Sequence, residues 1–333
     1  CCHTALCFRV NSKFIYLVFK YKLFFQKAQK GPLQCSYYVQ GHSTAVLALH
    51  ATDEILFTAS RDKNVVMWDL NELKEVQVFG DHPNNVVAVK YDPINMLMFS
   101  ASASYVKVWD IKSSKCVRVL SSTGVCISGS SQLGNTGTSM TDIAINNYNY
   151  PKHCYLYTAH GDKVGIWDLR RFSTTGKLLG GHQAAVMCIA LARSDSHDVV
   201  VTGSKDHYIK VFDVFNTSAS NFPRVTLEPP HYDGIQCLAI AGNTLFSGSR
   251  DCIIKKWNLD SNDLVTSITG AHKDWVTGLT FVPGQPFLIS GCRDGSIKLW
   301  STETCLQLGE MKAHNSSINA IATNNSFVFT ASR

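Results

Sequence analysis

Four stretches of this chain repeat one another closely enough to fix the kind of fold it can adopt. LFTASRDKNVVMWDL runs from Leu56 to Leu70, VVTGSKDHYIKVFDV from Val200 to Val214, LFSGSRDCIIKKWNLD from Leu245 to Asp260 and LISGCRDGSIKLWST from Leu288 to Thr302. Each reads as two short strands joined by a tight turn, with apolar residues alternating in the strands. A basic residue and an Asp occupy the turn, and a Trp or Phe comes near the end of the second strand. A unit of this size cannot bury its apolar face alone, so its repetition predicts neighbours stacked into one continuous core.

Around these anchors the chain divides into seven units, most with a His ahead of the first strand. Unit one carries His42, Ser60, Asp62 and Trp68; unit two carries His82, Ser102 and Trp109, with Ser104 near the Asp position. Unit three has Asp162 and Trp167 but no His in the usual place. Unit four has His182, Ser204, Asp206 and Phe212, and unit five has His231, Ser249, Asp251 and Trp257. Unit six has His272, Cys292, Asp294 and Trp300, and unit seven has His314 and Ser332. Successive closing aromatics, from Trp68 to Trp300, stand 41, 58, 45, 45 and 43 residues apart. A period of about 40–45 residues with a His…Trp-Asp signature is that of the WD repeat, four strands to a propeller blade. The one long interval holds the Gly/Ser-rich stretch Ser128–Met140, an expected loop into blade three.

In such rings one blade is commonly shared between the chain ends. Leu33–Gln40 reads as its outer strand, Ser317–Ala322 and Phe327–Ser332 as its first two, and the strand bearing a last Trp is absent. The expectation is an all-β, seven-bladed WD-repeat β-propeller over residues 31–333, truncated within blade seven. Its closing seam should be weak, because an edge strand there lacks a partner.

Charge sets the limits on partners. The formal charge of +6 is carried entirely by Arg9, Lys13, Lys20, Lys22, Lys27 and Lys30, in a leader without Asp or Glu. The 25 remaining basic residues balance the 25 acidic ones. Net charge therefore gives the propeller no general attraction for nucleic acid. The leader, residues 1–30, matches no repeat and reads as a disordered or non-native segment; an amphipathic segment or a targeting signal are its other readings. Phe14–Phe25 is too short to span a bilayer and is broken by Lys20 and Lys22. The twelve cysteines form no C-x-x-C pair, and Cys188, Cys237 and Cys292 replace small apolar residues, which reads as buried free thiols in a reducing compartment.

His231, Ser249 and Asp251 resemble a hydrolytic triad in composition alone. The same types recur from blade to blade at one spacing, and an enzyme needs one site rather than several copies of it. They read instead as a hydrogen-bonded scaffold, Asp to His to Ser to the Trp indole, that fixes strand register. The same reading covers His42, Ser60, Asp62 and Trp68, His182, Ser204 and Asp206, Trp257, and His272, Asp294 and Trp300. No P-loop or H-E-x-x-H occurs, so no cofactor, metal or catalytic residue is expected.

The residue before the turn Asp is the informative one. Arg61, Lys205, Arg250 and Arg293 occupy it, with Arg333 in the corresponding place in blade seven. In a propeller these turns share one face, and cations gathered there focus a field on an acidic partner. A basic residue that suits this turn for local reasons alone is the other reading. Tyr232, Lys273 and Trp275 follow His231 and His272 on the same rim; Trp and Arg are common interface anchors, and packing between blades is the other reading for Trp275.

Several strings are more specific than the repeat. ATDEILFTASRD (51–62), HPNNVVAVKYDP (82–93), SASYVKVWDI (102–111), EPPHYDGIQCLAI (228–240) and AHKDWVTGL (271–279), with the stretches at 200–214 and 245–260, resemble the C-terminal WD-repeat propeller of kinesin-4-class motors. That resemblance implies a cytoplasmic, cytoskeleton-associated module that binds microtubules or tubulin, whose tails are rich in Glu, and helps to suppress microtubule growth. It also implies a monomeric ring, dimerised through a stalk outside this chain. An adaptor for a cargo or other protein, without direct tubulin contact, is the alternative.

Overall fold

The computed structural model describes residues 15–21, 33–129, 137–149, 153–179, 181–192, 197–215, 218–219 and 222–332. Backbone alone is described for 15–21, 33–40, 147–149, 153 and 218–219, and Arg333 lies outside the described residues. Every regular element among them is a strand.

Each blade is an antiparallel meander, as in Val46–Ala51, Ile55–Ser60, Val65–Asp69 and Lys74–Phe79 for blade one. The position of a strand in its blade decides its composition. Second strands such as Leu97–Ser102 and Thr244–Ser249 are buried along nearly their whole length, because blades cover both faces. They accordingly read as continuous apolar or small residues, LMFSAS and TLFSGS. Outer strands such as Leu264–Ile268 alternate half-buried and exposed positions, since only one face meets the next blade. Between blades the core is aromatic: Phe57 of blade one packs at a tilt against Tyr91 of blade two at 5.1 Å, and Phe79 meets Trp109 edge-on at 5.4 Å.

The ring corrects the expected seven blades with an incomplete last one. Six blades are each wound from one continuous stretch of chain, and after them comes a two-strand remnant, Ile318–Thr323 and Phe327–Ser332. Among the described residues, no later strand of its own repeat extends that remnant. Ile15–Tyr21 pairs with it instead, in the register Tyr16 to Ala331 through Lys20 to Phe327. Leu33–Gln40 lies at the outer edge, as its sequence suggests, but reaches the remnant only through Ile15–Tyr21.

The remnant closes the circle through its neighbours. Its first strand contacts the first strands of both blade six and blade one. Phe329 and Ala331 pack with Val46, Leu56 and Trp68 on one side, while Ile318 and Val328 pack with Ile289, Ile297 and Leu299 on the other. Asn319 Nδ2 donates to the Val46 carbonyl at 2.8 Å and Asn324 Nδ2 to the Thr52 carbonyl at 2.9 Å. The seam is thus covered on both faces, and the Phe327–Ser332 edge is paired, so the ground for expecting an open edge there is removed.

Candidate interaction rim and the networks beneath it

The turn between second and third strands presents the candidate residues. In Ser60–Lys63, Ser249–Cys252 and Cys292–Gly295 the fourth amide donates back to the first carbonyl, at 3.3, 3.3 and 3.0 Å. Lys63, Cys252 and Gly295 have φ of 69°, 66° and 89°, the left-handed residue that follows a type I turn in a hairpin. The second turn residue therefore points away from the sheet. That residue is Arg61, Lys205, Arg250 or Arg293, and all but half-buried Arg250 are exposed. Their amides donate to the carbonyls of Ala45, Ala185, Gly234 and Trp275, the residue just ahead of each first strand. Three of these four are small, and blade six alone among them has an indole.

That indole joins two blades. The guanidinium carbons of Arg250, from blade five, and Arg293, from blade six, each lie 4.4 Å from the Trp275 ring centroid. Arg250 Nε is buried and has no hydrogen-bond partner, so the aromatic face is its main stabilising contact. Arg61 and Lys205 sit on other blades of the same face. Lys273 is exposed and Tyr232 is 82% exposed. The rim is not uniformly basic: Asp233 and Asp274 share it, each carboxylate accepting the next residue's amide.

Beneath the rim, the polar scaffold differs from the expected one in its hydroxyl. Trp68 Nε1–H donates to Thr58 Oγ1 at 3.0 Å, Thr58 Oγ1 meets His42 Nε2 at 2.9 Å, and His42 Nδ1 meets Asp62 Oδ2 at 2.8 Å. In blade five, Trp257, Ser247, His231 and Asp251 repeat this relay. Ser60 and Ser249 do something else. Ser249 Oγ donates to the Asp233 carbonyl at 2.8 Å and accepts the Asp251 amide at 3.2 Å, and Ser60 and Ser204 make the equivalent bonds. Sequence reasoning picked the wrong hydroxyl because both stand on the same strand face, two residues apart.

Blade six departs again. Trp300 and His272 both reach Ser290 Oγ, but Asp294 bonds Ser296 rather than His272, whose Nδ1 is 3.4 Å from Ser296 Oγ. Here His272, Cys292 and Asp294 bring possible metal-ligating atoms within 4.8 Å of one another. Burial pushes the Cys292 thiol up to about 11, and its sulfur lies 3.4 Å from the Asp274 carbonyl and 3.4 Å from the Asp294 amide nitrogen. Cys292 takes the place of Ser60 and Ser249, so the group is a turn variant held by hydrogen bonds.

Burial gives the scaffold a pH signature. It depresses His82, His272 and His314 to about 4 each; Lys107 adds to the effect at His82, and Lys298 at His272. An unfolded histidine titrates near 6.5, so the unfolded chain takes up protons first as pH falls. These three residues therefore contribute stability that is fully present above about pH 6.5 and lost towards 4. At Asp206 burial acts upwards, but hydrogen bonds led by His182 outweigh it and hold the carboxyl to about 2, so its contribution disappears between about pH 4 and 2. Urea midpoints are expected to stay level from pH 8 to 7 and to fall below about 6.5; a profile flat down to pH 4 would contradict this.

Five segments, 33–69, 73–110, 176–213, 223–258 and 263–301, match the family model of the WD domain, G-beta repeat. The chain belongs to the WD-repeat family. It is 48% identical over 92% of its length to kinesin-like protein KIF21B of Mus musculus, and 46% identical over 90% to kinesin-like protein KIF21A of Homo sapiens. The first of these matches covers 19% of the relative and the second 18%, so the chain spans about a fifth of the length of these curated relatives. A more distant relative is nuclear distribution protein PAC1 of Arthroderma otae, 24% identical over 79% of this chain and 50% of its own. The WD-repeat ring is a non-catalytic protein-interaction module, and its kinship with kinesin-like proteins agrees with the resemblance carried by HPNNVV, EPPHYDGI and AHKDWV. No helix among the described residues is long and apolar enough to cross a membrane.

Proposed function

We propose that this WD-repeat ring binds an acidic protein surface, tubulin in the microtubule wall, through the rim of Arg61, Lys205, Arg250, Arg293 and Trp275, and so helps to regulate microtubule growth. Tyr232 and Lys273 extend the same contact, and the protein acts in the cytoplasm on the cytoskeleton. The observation that carries this reading is the pair of guanidiniums, each 4.4 Å from the Trp275 ring. The indole holds both guanidiniums in place, and a fixed cation loses less entropy on binding a carboxylate than a free one. The kinesin-like relatives make tubulin the natural acidic partner.

Co-sedimentation of the chain with microtubules tests the proposal. Binding is expected at low salt and should weaken steadily as salt rises, because the rim is exposed and its charges are screened over about 8–10 Å at physiological ionic strength. Absence of pelleting at low salt would remove tubulin as the partner. The likeness to nuclear distribution proteins favours the adaptor reading in that event, and affinity capture returning one stoichiometric partner without tubulin would support it.

A further inference from the structure

The turn cations of the rim are not evenly placed: three of them and one indole form a continuous arc over blades four, five and six. Arg250 and Arg293 each lie 4.4 Å from the centroid of the Trp275 ring, so their guanidinium carbons are at most twice that distance apart. Lys205 joins the arc at Gly234. A Cβ added there would stand 3.2 Å from Lys205 Cα and 3.9 Å from Arg250 Cδ. Glycine thus leaves an open step between Lys205 and Arg250, where a larger residue would press on the Lys205 backbone. Arg61 has no part in this arc, because the two-strand remnant separates blade one from blade six.

Positive charge in the arc is left without an internal partner. Neither guanidinium makes a hydrogen bond or an ion pair among the described residues. Asp233 and Asp274 are near in sequence, but each carboxylate accepts the amide of the residue after it. Of the guanidinium nitrogens of Arg250, Nε alone is enclosed without a partner, so the terminal pair is the part that a ligand can reach. Two like charges held by one indole repel each other, and an anion beside them relieves that repulsion. Spacing then sets the shape of the ligand. Successive side chains on one face of an extended chain are about 6.5–7 Å apart, within the separation available to the two guanidiniums. A segment dense in Glu stays extended by self-repulsion, so it loses little freedom on binding. A helix is a straight cylinder about 10–12 Å wide, which meets a curved row on three blades at one place only.

We infer that the arc of Lys205, Arg250, Trp275 and Arg293 binds an extended acidic segment of the partner that carries a carboxylate on every second residue. Arg250 and Arg293 take two carboxylates from one face of the segment while the indole keeps both cations in place, and Lys205 takes the next carboxylate along. Such a site rests on the rim's proposed role towards an acidic partner, and it specifies the conformation of the ligand and the part of the ring that reads it.

Fluorescence anisotropy of the whole chain with two labelled peptides of equal composition, at low salt, tests this. One peptide alternates four Glu with four Ser; the other has two adjacent Glu pairs separated by four Ser. The alternating peptide is expected to bind about three- to tenfold more tightly, since it alone puts neighbouring carboxylates on one face. Arg250→Gln/Arg293→Gln should weaken its binding about tenfold or more, Lys205→Gln about two- to fivefold, and Arg61→Gln should leave it unchanged. Equal affinity for the two peptides, or a loss with Arg61→Gln as large as with the Arg pair, overturns the inference; if the chain still pellets with microtubules, the rim's acidic partner stands and only the extended segment falls. Failure to pellet, with the alternating peptide bound as expected, keeps the arc and removes tubulin alone. A single-stranded octanucleotide that binds more tightly than the alternating peptide would assign the arc to a nucleic-acid backbone and overturn the inference as well. Should the Arg250→Gln/Arg293→Gln variant fail to fold, the two peptides on the original chain and Lys205→Gln decide.

Discussion

Ser247→Ala is expected to destabilise the ring by roughly 2–4 kcal/mol, more than any other loss of a single oxygen in blade five. The Ser247 hydroxyl accepts from Trp257 Nε1–H at 3.0 Å and meets His231 Nε2 at 2.8 Å. Ser247 is 0% exposed, Trp257 1% and His231 2%, so no water replaces the lost oxygen. Two buried polar atoms are orphaned at once, and each costs its desolvation. Ser249→Ala releases bonds to the Asp233 carbonyl and the Asp251 amide at the turn, a region nearer solvent, and should cost about 1–2 kcal/mol. Exposed Ser261→Ala should stay within about 0.5 kcal/mol. Urea midpoints at constant slope measure all three. A larger loss for Ser249→Ala than for Ser247→Ala would show that the hydroxyl of the relay has been misplaced.

Trp275→Ala should separate stability from binding. The half-buried indole is the shared surface of Arg250 and Arg293, and its removal costs about 1–3 kcal/mol of stability through lost packing and two cation–π contacts. The effect on microtubule affinity should be larger in proportion, about tenfold, because both guanidiniums lose the plane that orders them. Trp275→Phe keeps a face and should recover most of each. Arg250→Lys/Arg293→Lys keeps the charge but not the planar stack, so it should bind more weakly than the original at equal stability. Equal affinity for Trp275→Ala and the original chain would reduce Trp275 to a packing residue.

The repeats made the propeller legible because one arrangement of strands and turn recurs at a nearly fixed period, and the turn Asp, its basic neighbour and the closing aromatic survive in most units. Three things were not legible, each for its own reason. Thr58 and Ser60 share a strand face, so alternation cannot say which one meets the indole; the hairpin register Leu56 to Trp68 and Thr58 to Val66 decides it. Ile15–Tyr21 carries none of the repeat's marks, and only its pairing with Phe327–Ser332 places it in a sheet. Trp275 stood out as an aromatic beside His272, but its contact with Arg250 crosses a blade boundary that no spacing reveals.

Charge on the rim is the central claim, and one comparison tests it directly. The chain and its Arg61→Glu/Lys205→Glu/Arg250→Glu/Arg293→Glu variant should be pelleted with microtubules at low salt, after matching their urea midpoints to confirm that both rings are folded. The account predicts that the original chain pellets with the polymer and that the variant stays in the supernatant. Equal pelleting of the two would contradict it.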